Sequence, residues 1–312
     1  MTGALPVVLD CDPGHDDAIA LLLALGSPAL ELRAVTTVAG NGPLERVTEN
    51  ARRILTLAGA HAVPVAAGAA GPLAGGLAMT APSIHGDSAL DGPAMPEPTV
   101  PLDPRPAAEL LAASADTLIA TGPLTNVAHA LDLGAAPREI VWMGGSTERG
   151  NRTPHAEFNA AVDPEAVARV LASGIPFTLV GLNLTHQALA TDEVVERVRA
   201  VGGALAETMA GWLRFFGDSY RTVFGFTAPP VHDPCAVARL IEPSIVRCVD
   251  AFVAVELEGR WTRGATVVDF DGTLGEPPNA RVAVDLDVAG FWDLVIGAVE
   301  RLQAASQSRS LA

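Results

Sequence analysis

The 312-residue chain has no lysine, one tyrosine, three cysteines and only 4% aromatic residues. Its positive charge is therefore carried by arginine alone. Twenty arginines against 36 acidic residues leave a formal net charge of −16. A chain this acidic offers no basic face to a phosphate backbone, which argues against a nucleic-acid partner. No uninterrupted apolar run approaches the roughly 20 residues that a membrane-spanning helix needs, so no membrane association is expected. The opening MTGALPVVLD has no basic stretch and runs straight into a strand pattern, so no signal peptide is expected. Cys11, Cys235 and Cys248 are odd in number and widely scattered, which suits reduced thiols in a cytoplasmic protein. Internal repeats, heptads and low-complexity blocks are absent as well.

What remains is ordinary globular material, 49% hydrophobic and 18% charged. The run 6–10 is short, apolar and closed by turn residues, so it reads as a buried strand. Pro13 and Gly14 supply the turn. Asp16 and Asp17 then open a helix to about Leu25, where acidic residues favour a helix N-terminus. A strand at 32–38 leads to a helix at 43–58. Strand–helix pairs follow at 117–120 and 124–131, at 140–143 and 164–172, and at 177–182 and 192–199. This alternation predicts an α/β fold, a single domain over 1–312 with a mostly parallel sheet flanked by helices. The last 65 residues hold β-type runs at 249–256, 265–270 and 281–284 and a terminal helix from about Val288. They read as an appended part of the same domain. The Gly/Pro-rich stretch 67–106 is too long for a plain connection and is either functional or mobile.

The most informative segment is DCDPGHDD at residues 10–17, four aspartates in eight positions at the end of the first strand. Carboxylates so close repel one another, so either some stay protonated or a cation neutralises them. Carboxylate oxygens suit Ca²⁺ or Mg²⁺, and no His/Cys spacing nearby suggests zinc. A capped helix with solvated aspartates is the bland alternative. In a parallel sheet, ligands sit beyond the carboxyl ends of the strands. Polar residues gather there: the aspartates after the first strand, Asn41 after the second, Thr121 and Asn126 after another. His232-Asp233-Pro234 before a helical run reads equally as a helix cap, and TGPLTN at 121–126 as a simple turn. DFDGTL at 269–274 looks like the nucleophile motif of haloacid-dehalogenase-like phosphatases. Only 38 residues follow it and the chain has no lysine for the rest of that site, so a turn is the better reading.

Taken together, these segments resemble the inosine–uridine-preferring nucleoside hydrolase family. The matching pieces are DCDPGHDD (10–17), VAGN (38–41), TGPLTN (121–126), MGG (143–145), Asn151, EFN (157–159), DPE (163–165), LTH (184–186) and HDPC (232–235). Their order and spacing match the family, and the resemblance covers essentially the whole chain. It implies a Rossmann-like sheet, one bound Ca²⁺ and hydrolysis of the N-glycosidic bond of ribonucleosides. By matching positions it implies calcium ligands Asp12, Asp17, Asp233 and the Thr121 carbonyl, with Asp12 also acting as base towards water. Asp16, Asn41, Asn151, Glu157 and Asn159 would grip ribose, with Met143 lining the pocket and Asp10 in support. His85 and the aromatic segment 215–231, including Tyr220 and Phe224, would lie near the base. Trp212, Phe215 and Phe216 have the spacing of core. His232 would either help the base leave or only shape its pocket. Pyrimidine-preferring members tend to carry tyrosine near Phe224, so the resemblance leaves the preferred base open. It also implies a homo-oligomer, a tetramer or dimer, and two mobile loops at about 71–92 and 217–231. A nucleoside- or ribose-binding protein of the same fold without catalysis is the alternative.

Overall fold

A computed structural model of the protein describes residues 3–310. Met1 and Thr2, the start of the segment expected not to be a signal peptide, lie outside the described residues. Nine strands form one sheet among these residues: β1 (Leu5–Cys11), β2 (Leu30–Thr37), β3 (Val65–Ala67), β4 (Thr117–Ala120), β5 (Ile140–Met143), β6 (Phe177–Val180), β7 (Val246–Val255), β8 (Thr266–Asp269) and β9 (Ala280–Leu286). Their order is β3-β2-β1-β4-β5-β6-β9-β7-β8. The sheet is parallel from β3 through β9, and β7 and β8 complete it in antiparallel fashion. The C-terminal runs therefore extend the same sheet.

The inner strands are short apolar runs because both of their faces are covered. Side chains alternate across the sheet. On β1, Val7 and Leu9 join the core on one face and Val8 joins the other. On β5, Val141 and Met143 face the first core, Ile140 and Trp142 the second. The helix His15–Gly26 is buried on nearly every side. It lies under the helices Pro234–Ile241 and Val288–Ser310, which explains why it is apolar all round rather than striped. By contrast, the helix Leu44–Ala58 buries Val47, Ala51, Ile54, Leu55 and Ala58, one face at helical spacing. No helix among the described residues is long and apolar enough to cross a membrane.

Strand order reverses between β1, whose chain passes to β2, and β4. That switch point leaves a crevice at the carboxyl ends of these strands, where ligands bind in such sheets. One expectation needs correction. The segment 217–231 is not one loop: 217–224 is the end of a 22-residue helix, Gly203–Phe224. Its last turns carry Phe216 against His85, and Tyr220 against Phe226 and His232, at the crevice. The stretch 67–106 is irregular but anchored. It contains a short helix, Pro82–His85, Arg52 Nε donates to the Val100 carbonyl at 2.6 Å, and Asn50 Nδ2 donates to the Ser88 carbonyl at 2.9 Å. The 269–274 motif is a turn on edge strand β8. Asp269 accepts the amides of Thr273 (2.9 Å) and Leu274 (2.7 Å), so its carboxylate serves the turn.

Candidate active site

At the end of β1 the chain turns at Pro13 and Gly14 and delivers Asp12, Asp16 and Asp17 to the crevice, all buried. Asp17 is the anchor of the turn. Its Oδ2 accepts the Gly14 amide (3.0 Å) and Asn41 Nδ2 (3.1 Å). Its Oδ1 accepts Thr121 Oγ1 (2.7 Å) and the Asp12 amide (3.3 Å). Carboxylate oxygens of Asp16, Asp17 and Asp233 all lie within 4.8 Å of one another. Asp233 arrives from the turn before the helix Pro234–Ile241. It stands at that helix's cap position but caps nothing with its side chain, so the bland helix-cap reading fails.

The resemblance groups Asp12 with Asp17 and Asp233, and Asp16 stands beside the last two as well. The Asn41 amide donates to Asp12 Oδ2 at 2.6 Å. The other oxygen, Asp12 Oδ1, is buried with no hydrogen-bond partner. The approach is tight: a Cβ on Gly40 would lie 2.1 Å from Asp12 Oδ2. Burial, reinforced by mutual repulsion, raises all four carboxyls, Asp16 to about 8 and Asp12 and Asp233 well above the usual range. These residues fit a hard divalent cation. They bring several buried carboxylate oxygens together, and Asp12 Oδ1 among them has no donor. Asp10 stays behind this group. Its Oδ1 accepts Thr36 Oγ1 (2.6 Å) and Asn126 Nδ2 (2.8 Å), and burial raises it to about 7.

Above this acidic floor lies a cavity lined by every residue that the resemblance assigns to substrate: Asp16, Asn41, His85, Met143, Asn151, Glu157, Asn159, Tyr220, Phe224 and His232. Glu157 caps the helix Phe158–Val162, its two oxygens accepting the amides of Gly145, Asn159 and Ala160 at 2.8–3.0 Å. Burial outweighs those bonds and raises it to about 7. Asn159 Nδ2 donates to the carbonyls of Thr121 (2.8 Å) and Met143 (3.1 Å), tying β4 to β5 at the cavity wall. Asn151 Oδ1 accepts the Phe158 amide at 2.9 Å.

The opposite wall is aromatic. His232 lies between two hydroxyls, Nδ1 2.7 Å from Thr185 Oγ1 and Nε2 2.7 Å from the Tyr220 hydroxyl. Burial drives His232 well below its ordinary pKa and Tyr220 well above. The pair is therefore a neutral imidazole and a neutral phenol. Trp212 is core as expected, but Phe216 also lines the cavity and Phe215 is half-buried against His15. Thr185, Phe216 and His15 escape a reading by sequence. Thr185 lies in the LTH segment, but its partner is 47 residues away. His15 lies inside the acidic motif, yet its partner His85 is 70 residues away.

The family model described as inosine-uridine preferring nucleoside hydrolase matches residues 7–293. The chain is 46% identical over 311 residues to a protein of Salmonella paratyphi A named pyrimidine-specific ribonucleoside hydrolase RihA, covering 96% of this chain and 99% of that protein. A protein of the same name from an Enterobacter species is 47% identical over 303 residues, 94% of this chain and 96% of its own length. Among solved structures, the purine-preferring ribonucleoside hydrolase from Gardnerella vaginalis superposes with a TM-score of 0.90 at 29% identity, over 96% of this chain and 99% of that one.

Proposed function

This chain belongs to the inosine-uridine preferring nucleoside hydrolase family and hydrolyses the N-glycosidic bond of ribonucleosides; from that premise we propose how its own residues do so, with Ca²⁺ as the metal. The observation that carries the proposal is the cavity over buried aspartates, with Asp12 Oδ1 left without a donor. Asp12, Asp17, Asp233 and the Thr121 carbonyl would hold the cation. Bound there, it would supply the positive charge that polarises water and anchors ribose hydroxyls.

Breaking the bond to the base leaves oxocarbenium character on the sugar. Glu157, Asp16 and the amide oxygens of Asn41, Asn151 and Asn159 surround the ribose and stabilise that charge. Met143 closes the pocket beneath it. Asp12 Oδ1 takes the proton of the attacking water. On the far side the base leaves as a poor anion unless it gains a proton or a hydrogen bond. The Tyr220 hydroxyl, backed by His232 and Thr185, holds a proton there. His85 and Phe224 flank the base.

We assign the base as a pyrimidine, on the 46% identity to relatives named for pyrimidine ribonucleosides against 29% to the purine-preferring structure. A panel of uridine, cytidine, inosine, adenosine and guanosine, read by release of reducing sugar, tests this. Uridine and cytidine are expected to lead. A lead for inosine would overturn the base assignment, and no sugar from any of them would overturn the activity. His232→Ala and Tyr220→Phe are each expected to lower kcat for uridine about 10²-fold or more. Both should spare p-nitrophenyl riboside, whose leaving group needs no proton. Equal losses on the two substrates would instead mark this pair as structural.

We further propose that 71–92 and 225–231 close over bound substrate, that the enzyme is a dimer or tetramer, and that it works in the cytoplasm, where its three free cysteines stay reduced.

A further inference from the structure

Glu157 lines the cavity wall, and its own helix does not fix it alone. Its Oε1 accepts the Asn159 amide (2.9 Å) and its Oε2 the Ala160 amide (3.0 Å), both from the helix that it caps. Oε2 also accepts the Gly145 amide at 2.8 Å, from the turn that follows β5. The carboxylate is thus held between a helix and a turn. On one side β6 secures that turn. The Gly144 amide donates to the Val180 carbonyl (3.2 Å), and the Leu182 amide to the Gly145 carbonyl (3.0 Å). On the other side stands Thr266, 120 residues along the chain. Its Oγ1 accepts the Ser146 amide at 2.8 Å and donates to the Ser146 carbonyl at 2.6 Å. Thr266 opens β8, the last strand in the order of the sheet, and is buried. The approach requires glycine at 145: φ there is +70°, and a Cβ would sit 2.8 Å from Thr266 Cγ2.

Just beyond Ser146 the chain becomes exposed, at 148–149. Thr266 therefore secures the turn where the chain leaves the sheet, yet it is not among the residues that line the cavity. We propose that Thr266 is a positioning residue for the hydrolysis: through Ser146 and Gly145 it sets where the Glu157 carboxylate stands against the sugar. This rests on the reading that Glu157 stabilises the positive charge that develops on ribose. One hydroxyl serves both backbone groups of residue 146. A serine at 266 can do the same, whereas a valine of the same shape serves neither. Two buried backbone groups left without partners are costly. The turn then moves to regain partners, and the Gly145 N–H moves with it, away from the carboxylate.

The test is a double-substitution cycle with Glu157→Gln, read by the kinetics of uridine hydrolysis. Thr266→Val is expected to lower kcat about 10-fold with a smaller change in KM, because a displaced carboxylate fails the transition state more than the bound substrate. Thr266→Ser should keep the wild-type kcat. Glu157→Gln retains an acceptor oxygen but not the charge. Adding Thr266→Val to it should cost less than about twofold in kcat, since no charge remains to be placed. An equal loss in both backgrounds, or none in the wild type, overturns the proposal. So does a Thr266→Ser enzyme as poor as Thr266→Val. A Glu157→Gln enzyme with the wild-type kcat overturns it too, and there the reading of Glu157 itself has failed; the other outcomes leave that reading standing. If Thr266→Val does not fold, Thr266→Ala, which leaves room for a water beside Ser146, replaces it in the cycle.

Discussion

Replacing Asp12 by asparagine is expected to lower kcat by about 10²–10⁴-fold, the usual contribution of a general base. The substitution keeps the shape of the side chain and an oxygen for the Asn41 amide, now 2.6 Å from Oδ2. What it removes is the capacity of Oδ1 to take a proton. The same change relieves a buried carboxyl that desolvation and three neighbouring aspartates already disfavour as an anion. The metal-free variant should therefore melt at or above the wild-type temperature near pH 8 while losing activity. An active Asp12→Asn enzyme would move the base elsewhere. A variant that loses both activity and stability would show Asp12 to be structural.

Calcium is expected to stabilise the protein, and to do so more strongly as pH rises. In the metal-free protein, burial holds Asp10 and Glu157 at about 7 and Asp16 at about 8, against ordinary values near 4. A carboxyl raised in the folded state binds its proton more tightly folded than unfolded. Between about pH 4 and pH 8 the folded chain thus carries more protons from these groups, and their contribution to stability falls as pH rises. Burial raises the proposed ligands Asp12, Asp17 and Asp233 in the same direction, and the cation competes with their protons because carboxylate ligands must be ionised. At a hundred times its Kd, calcium would add about 2.7 kcal/mol. Thermal melts with calcium and with chelator should accordingly diverge from pH 5 to pH 8. Curves that run parallel, or a calcium shift that is largest at pH 5, would contradict a cation on these carboxylates.

The sequence makes the catalytic floor legible because its parts are local. An apolar run, a Pro-Gly turn and two aspartates at a helix start specify β1 and the loop after it within a dozen residues. The alternation of strands and helices likewise reveals the parallel sheet. What stays hidden depends on partners far along the chain. Asp12 is held by the Asn41 amide, 29 residues on, a partner that the local motif does not reveal. The helix Gly203–Phe224 opens on glycine and carries its aromatics towards the cavity. Its last turns are fixed by rings from other segments, Phe226 and His232 among them, rather than by local preference. In the sequence Tyr220 reads as a ring near the base, His232 as a cap or leaving-group residue and Thr185 only as part of the LTH segment, and only their 2.7 Å contacts join them.

The most direct test of the account is uridine hydrolysis by protein stripped with chelator and then resupplied with Ca²⁺. The account predicts no sugar release from the stripped enzyme and recovery when calcium is restored. Hydrolysis at the full rate in the stripped enzyme would contradict it.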